Sequence, residues 1–252
     1  MNITFLYHSS FLVELSGCTL LFDWYGGPVP DYDRSKPLYV FASHHHGDHY
    51  APEIFAQLGM DNVWYVLANC IRLSAKRKAA LGIDDSHVFR LAAGRHLSLG
   101  GLDIQTYRST DAGVAFLVEV EGKTIFHAGD LHWWHWAEED AAWNQAMERD
   151  FKKECAKLQG KPVDVGFFVL DPRQEGEFWW GFDWWMRTME VKHAFPMHSW
   201  EDYTLVQTLR TLPCSAPYRD RVVEVSGKGQ VFSWGNFPPV VSRRLLKRRR
   251  RT

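Results

Sequence analysis

"PLYVFASHHHGDHY", residues 37–50, joins an apolar run directly to a knot of histidines. The segment "LYVFAS" is continuously apolar, the pattern of a strand buried on both faces. Four of the chain's twelve histidines then fall within residues 42–50, together with Gly47 and Asp48. In extended backbone, side chains two apart point the same way, so His44 and His46 converge on one point. Gly47 lets the chain turn, and Asp48 and His49 then face a second point close by. Imidazole and carboxylate donors without a thiolate suit zinc, iron or manganese, and argue against a cysteine-type structural zinc site. His45 falls out of this register and is expected to point away.

Working outward, the segments before this run read as a β meander. "ITFLYH", "SFLVEL" and "CTLLFDW" are short apolar or alternating runs, broken at Ser16-Gly17. "GGPVPDYDRSKP" is a loop by its Gly, Pro and Asp content. After the histidines, "APEIFAQLG" predicts a short helix, "VWYVLA" a strand and "CIRLSAKRKAALG" a helix ending near Gly82. A second β series follows: "HVFRLA", "RHLSL", "LDIQTYRS", "GVAFLVEVEG" and "KTIFHAG", with a hairpin turn at Glu121-Gly122. Next come a long helix across "EEDAAWNQAMERDFKKECAKL", strand "VDVGFFVL", helix "FDWWMRTMEV", strand "HAFPMH" and helix "WEDYTLVQTLRTL". "RVVEVS" and "QVFSW" read as closing strands. Strand-rich blocks that precede helices in both halves predict two facing sheets with helices on both outer faces.

The chain has 252 residues and 46% apolar content, enough for one large core. The formal charge of −1 indicates no nucleic-acid or membrane partner. The charge is uneven, because "RRLLKRRRRT" is strongly basic and the remainder acidic. The expected division is a single domain over residues 1–241 and a solvated basic tail over 242–252. Cys18, Cys70, Cys155 and Cys214 form no CxxC pair and read as free thiols of a reducing compartment. "MNITFLYHSS" lacks a signal-peptide pattern, and no apolar run reaches the roughly 18 residues of a membrane span. A cytoplasmic protein is expected.

The spacing His44-x-His46-x-Asp48-His49 after a buried strand resembles the signature of the metallo-β-lactamase superfamily. The likeness extends along the chain. "ITFLYHSSFLVELSGCTLLFDW" resembles the family's opening hairpins, ending at Asp23. "TIFHAGD" resembles the strand whose terminal Gly-Asp supplies a bridging carboxylate, here Asp130. "FPMHSW" resembles the last ligand-bearing strand end, here His198. The opening and the "PMH" ending look closest to the ascorbate-6-phosphate lactonase-like branch. The resemblance implies an αβ/βα four-layer sandwich with a dinuclear site at one edge, holding one or two Zn2+, with Mn2+ or Fe2+ as alternatives. It implies His44 and His46 on a first ion, Asp48, His49 and His198 on a second, and Asp130 between them. The sequence departs where the family places a further histidine, because "YRSTDAGVAFLVE" contains none. Asp111, just before Gly113, is the expected substitute, with Ser109, Thr110 or no ligand as alternatives.

Other residues carry weaker signals. His8, in "YHSS", is expected to support the site rather than bind metal. His127 suits either the orientation of a ligand or a plain strand position. Arg173 suits a grip on a substrate carboxylate or phosphate, or a pair with a neighbouring acid. "HWWHW" (132–136) and "FWWGFDWW" (178–185) hold seven of the twelve tryptophans. They suit a pocket wall, packing between helices, or the interface of a homo-oligomer. His132 and Trp133 are the candidates there for substrate contact.

These readings predict a metal-dependent hydrolase that uses a metal-activated hydroxide on a small ester, lactone or phosphoester, with Asp48 orienting the hydroxide. The chain has no G-x-S-x-G motif and no evident Ser-His-Asp or Cys-His arrangement. A phosphodiesterase or nuclease-like member is the alternative within hydrolases, disfavoured by the acidic bulk. A metal-binding homologue without catalysis is the alternative outside them.

Overall fold

The computed structural model describes residues 1–234. The apolar runs of the first part form one mixed sheet. β1 (Asn2–Tyr7), β2 (Ser10–Glu14) and β3 (Thr19–Phe22) succeed one another antiparallel. β4 (Leu38–Ala42), β5 (Val63–Ala68) and β6 (Val88–Leu91) then extend the sheet in parallel from β3. A second sheet begins with the antiparallel run β7 (His96–Leu99), β8 (Leu102–Arg108), β9 (Val114–Val120) and β10 (Lys123–His127). β11 (Pro162–Val169) and β12 (Glu190–Met197) join it parallel to β10. β13 (Val231–Ser233) returns to the first sheet beside β1.

The period of two decides which side chains face the second sheet. Ile3, Phe5, Phe11, Leu20, Phe22 and Phe41 enter the core shared by both sheets. There Phe11 meets Phe167 at 4.2 Å and Phe41 meets Phe116 at 5.3 Å between ring centroids. The alternate residues Leu12, Leu21 and Val40 face outward and are covered by Ile54 and Phe55 of α1 (Ile54–Leu58). α2 (Ala75–Ala80) follows on the same side of the chain's course and buries none of its own residues. On the far side lie α3 (Ala141–Cys155), α4 (Trp180–Thr188) and α5 (Leu205–Thr211). α4 packs on β11 and β12, with Trp185 5.1 Å from Phe126 and 5.4 Å from Phe151 of α3. The result is an αβ/βα four-layer sandwich, as expected.

Strand direction fixes where the site lies. β1, β3 and β4 run the same way, so their C-terminal ends share one edge and deliver His8, Asp23 and His44 there. β10, β11 and β12 are likewise co-directional and deliver Asp130, Asp171 and His198 just past their ends. The sheets touch at this edge, where Val114 N–H donates to Ser43 O at 2.9 Å. At the other end of β9 and β10, the hairpin turn has positive φ at Glu121 (49°) and Gly122 (69°), and the Glu121 carboxylate accepts the amides of Ser16 and Gly17 at 3.0 and 2.7 Å.

One expected strand does not form. "RVVEVS" makes a single bridge, Val222 to Ala194, instead of a ladder on β12. Its backbone bond to β12 runs from Val223 N–H to Ala194 O at 2.8 Å, and beside it Arg221 donates to Val191 O at 2.7 Å and Arg210 to Val222 O at 2.6 Å. The basic tail expected over 242–252 lies outside the described residues. Among the described residues, no helix is long and apolar enough to cross a membrane.

Candidate metal centre

Eight side chains gather at the shared edge in two groups of four. His44, His46, Asp111 and Asp130 form one; His8, Asp48, His49 and His198 form the other. Within each group the donor atoms lie within 4.8 Å of one another. The turn after β4 makes this local. The amides of His49 and Tyr50 both donate to His46 O, at 3.1 and 3.0 Å, folding Asp48 and His49 back beside His44. Asp130 reaches toward both groups: Oδ2 is 3.3 Å from His44 Nε2, and Oδ1 is 3.2 Å from His49 Nε2 and 3.6 Å from His198 Nε2.

The outward nitrogens of the buried imidazoles are firmly held. Asp23 Oδ2 accepts from His49 Nδ1 at 2.8 Å, and Asp171 Oδ2 accepts from His198 Nδ1 at 2.8 Å. Ser43 Oγ gives its proton to Asp23 Oδ2 at 2.6 Å and accepts from His44 Nδ1 at 2.9 Å. Each of these Nδ1 atoms therefore carries a proton, which leaves Nε2 as the nitrogen that faces inward and can bind an ion. The inward nitrogens find no partner. His8, His44, His49 and His198 each leave Nε2 buried without a hydrogen bond, as does Asp130 Oδ1. An unmet buried polar group costs about 1–3 kcal/mol, so five at one place need a ligand.

Distances say which kind. The outer contacts are 2.6–2.9 Å, the length of hydrogen bonds. The inner ones, at 3.2–3.9 Å, are longer. Two donors about 2.0–2.1 Å from one ion at a tetrahedral angle stand about 3.3 Å apart. The donor set therefore fits divalent cations bound by nitrogen and oxygen. The electrostatics agree. Burial opposes the charged form of His49, yet Asp130 and Asp23 raise its pKa well above the ordinary value. Burial likewise opposes charge on Asp130, yet His49, His198 and His44 hold its carboxyl well below the usual range. The pocket favours positive charge between its carboxylates.

All seven sequence-predicted donors are thus brought together. Asp111 lies in the first group, with Oδ2 3.3 Å from His46 Nδ1, and this pair is the exposed rim of the site. His45 is exposed. His8, expected to support the site, has Nε2 3.5 Å from Asp48 Oδ2 inside the second group. His127 is a plain buried histidine: it donates from Nε2 to Ser9 O at 2.9 Å and accepts Gly129 N–H at 3.1 Å.

The substrate candidates divide. Arg173 is half-exposed, with Nε and Nη2 on Asp171 and its guanidinium between Trp136 (5.6 Å) and Trp200 (4.7 Å). His132 requires a correction. It is fully buried, bonded to Gln174 Oε1 at 2.7 Å and pressed against Gly181, with no face toward solvent. Trp133 packs instead on Trp180 and Trp184, with Lys152 over its ring at 4.2 Å. The rings beside the site are Trp134 and Trp200, 5.6 and 5.8 Å from His198. Sequence reading also missed Asp171 as the partner of His198. Its signal was the one Asp23 shares, an acid directly after a buried run without polar side chains, 20–22 for Asp23 and 165–170 for Asp171.

The fold and this constellation define a metallo-β-lactamase-type protein. A profile described as the beta-lactamase superfamily domain matches residues 2–144, and the chain belongs to the metallo-β-lactamase superfamily. A UPF0173 metal-dependent hydrolase of Desulforamulus reducens is 33% identical over 141 residues, 52% of this chain and 62% of that protein. One from Pyrococcus furiosus is 27% identical over 219 residues, 79% of this chain and 84% of that protein. Among solved structures, a metallo hydrolase of Ignicoccus hospitalis superposes with a TM-score of 0.59 at 14% identity, covering 92% of this chain and 98% of the other. The metallo-beta-lactamase fold protein YhfI of Bacillus subtilis gives the same values, and at this identity both speak for the fold alone.

Proposed function

We propose that the chain is a metal-dependent hydrolase holding two divalent ions and cleaving a small ester, lactone or phosphoester. One observation carries this reading: two four-donor groups meet at Asp130 with unpartnered imidazole nitrogens inside. The names of the curated relatives support it. His44, His46 and Asp111 would hold one ion and Asp48, His49 and His198 the other, with Asp130 placed to reach both. Zn2+ suits these donors, and the carboxylate of Asp111 moves preference toward Mn2+ or Fe2+. Bound ions of this kind bring the pKa of water toward neutrality and polarise a carbonyl or phosphoryl oxygen.

The chain's own groups supply the rest. Asp48 is partly exposed at the mouth and orients the attacking water. Asp23, Asp171 and Ser43 keep the imidazoles in the one tautomer that offers Nε2 inward. Arg173 Nη1 lies outside the pair with Asp171 and is the group to receive a substrate anion, with Trp136 and Trp200 as walls. This favours a phosphorylated or carboxylated small molecule, in keeping with the resemblance to the ascorbate-6-phosphate lactonase-like branch. A panel of lactones and phosphodiesters, run with metal-loaded, chelated and re-loaded protein, tests the proposal. Turnover of an anionic lactone or ester that follows metal content supports it. Turnover confined to phosphodiesters favours the alternative hydrolase reading. Two ions bound with no turnover on either class favours a metal-binding scaffold.

A further inference from the structure

We infer that His8 is itself a ligand of the second ion, so that this position is closed by His8, Asp48, His49 and His198 together with the shared Asp130. The inference rests on the metal reading above and adds a donor that the resemblance does not supply.

His8 stands just past β1 with φ of 48°, a left-handed conformation unfavourable for a residue with a side chain. The fold holds it there by a bond to the other strained histidine. His198, with φ of 67°, donates its amide to His8 O at 3.1 Å. The two imidazoles are thereby brought to the same corner, 4.0 Å between centroids and tilted by 49°, although one follows β1 in the first sheet and the other β12 in the second. The Trp200 ring, 4.7 Å away, and the Tyr25 ring, 6.1 Å away, flank the His8 ring.

Held in this way, His8 aims Nε2 at the group's interior, where it is buried and has no hydrogen-bond partner. A merely supporting histidine would bond Asp48. The separation of 3.5 Å between Nε2 and Asp48 Oδ2 is long for that bond, and it matches the spacing of two donors sharing one ion. The two positions then differ. The second has four donors from the chain besides Asp130, and three of them are buried; the first opens to solvent through His46 and Asp111. The more exposed ion is the one that exchanges first.

The test is ring-nitrogen NMR on the full chain with 15N-labelled histidine, metal-free and then titrated with Zn2+. The expected result is five imidazoles moving to metal-bound shifts, one of which disappears in His8→Gln. Four such imidazoles in the wild type, all retained in His8→Gln, would overturn the inference and leave the metal reading standing. No ring shift with zinc would overturn both. The wild-type count decides even where His8→Gln fails to fold. Where it folds, its affinity for the tighter zinc ion is expected to fall tenfold or more.

Discussion

Asp171 Oδ2 lies 2.8 Å from His198 Nδ1 and 2.6 Å from Arg173 Nη2, so one buried carboxylate joins the metal-facing imidazole to the guanidinium at the mouth. Burial opposes its charge, but His198 and Arg173 hold its carboxyl well below the usual range. Asp171→Asn keeps the shape and removes the charge that fixes the His198 tautomer. Metal affinity is expected to fall 10–100-fold, the usual effect of losing such a partner. Competition against a chromophoric chelator measures it, and unchanged affinity would remove Asp171 from the account.

Asp111 carries the departure from the family pattern. Asp111→Ala is expected to reduce bound metal toward one ion per chain, because His44, His46 and Asp130 remain as the first group's only donors. Asp111→His is expected to restore occupancy and to raise preference for zinc, since imidazole is the softer donor. A turn role alone predicts a stability loss of about 1 kcal/mol with metal unchanged. Elemental analysis of the two variants separates these outcomes.

Two glycines give a matched pair. A Cβ on Gly113, at φ of 71°, would lie 1.9 Å from Ser43 O and 2.7 Å from His44 Cβ. A Cβ on Gly181 would lie 2.3 Å from the His132 ring. Both Gly→Ala changes are expected to destabilise by about 1–3 kcal/mol in thermal or denaturant unfolding of the metal-free chain. Only Gly113→Ala is expected to weaken metal binding as well, because the backbone of His44 has to move. Equal metal affinity in both variants would contradict the placement of His44.

Arg173→Lys keeps the charge and loses the paired geometry with Asp171. For an anionic substrate, KM is expected to rise about tenfold, with a smaller change for a neutral analogue. Steady-state kinetics on the two substrates reads the difference, and equal changes for both would assign Arg173 to holding Asp171 alone.

Much of this was legible because strands and ligand motifs are local. The period of two in "ITFLYH" and the continuous run of "LYVFAS" fix which faces are buried, and His44, His46, Asp48 and His49 come from one strand end and the turn directly after it, which is closed on His46 O without a left-handed Gly47. Asp130 and His198 were recognised by likeness to known strand ends, not by spacing. What stayed hidden depends on contacts between distant segments. The pairing of His8 with His198 needs both sheets in place, and the burial of His132 depends on Gly181, a helix away. "RVVEVS" has a strand pattern, and its reduction to a single bridge at Ala194 is not legible in that pattern.

The central claim is that the two donor groups hold two divalent ions through a shared Asp130. Elemental analysis of the purified chain, reconstituted with Zn2+ and freed of loose metal, beside Asp130→Ala tests it most directly. The account predicts two ions per wild-type chain and at most one in Asp130→Ala, whose circular dichroism still matches the wild type. A wild-type chain that holds no tightly bound ion, or a variant that keeps both, would contradict it.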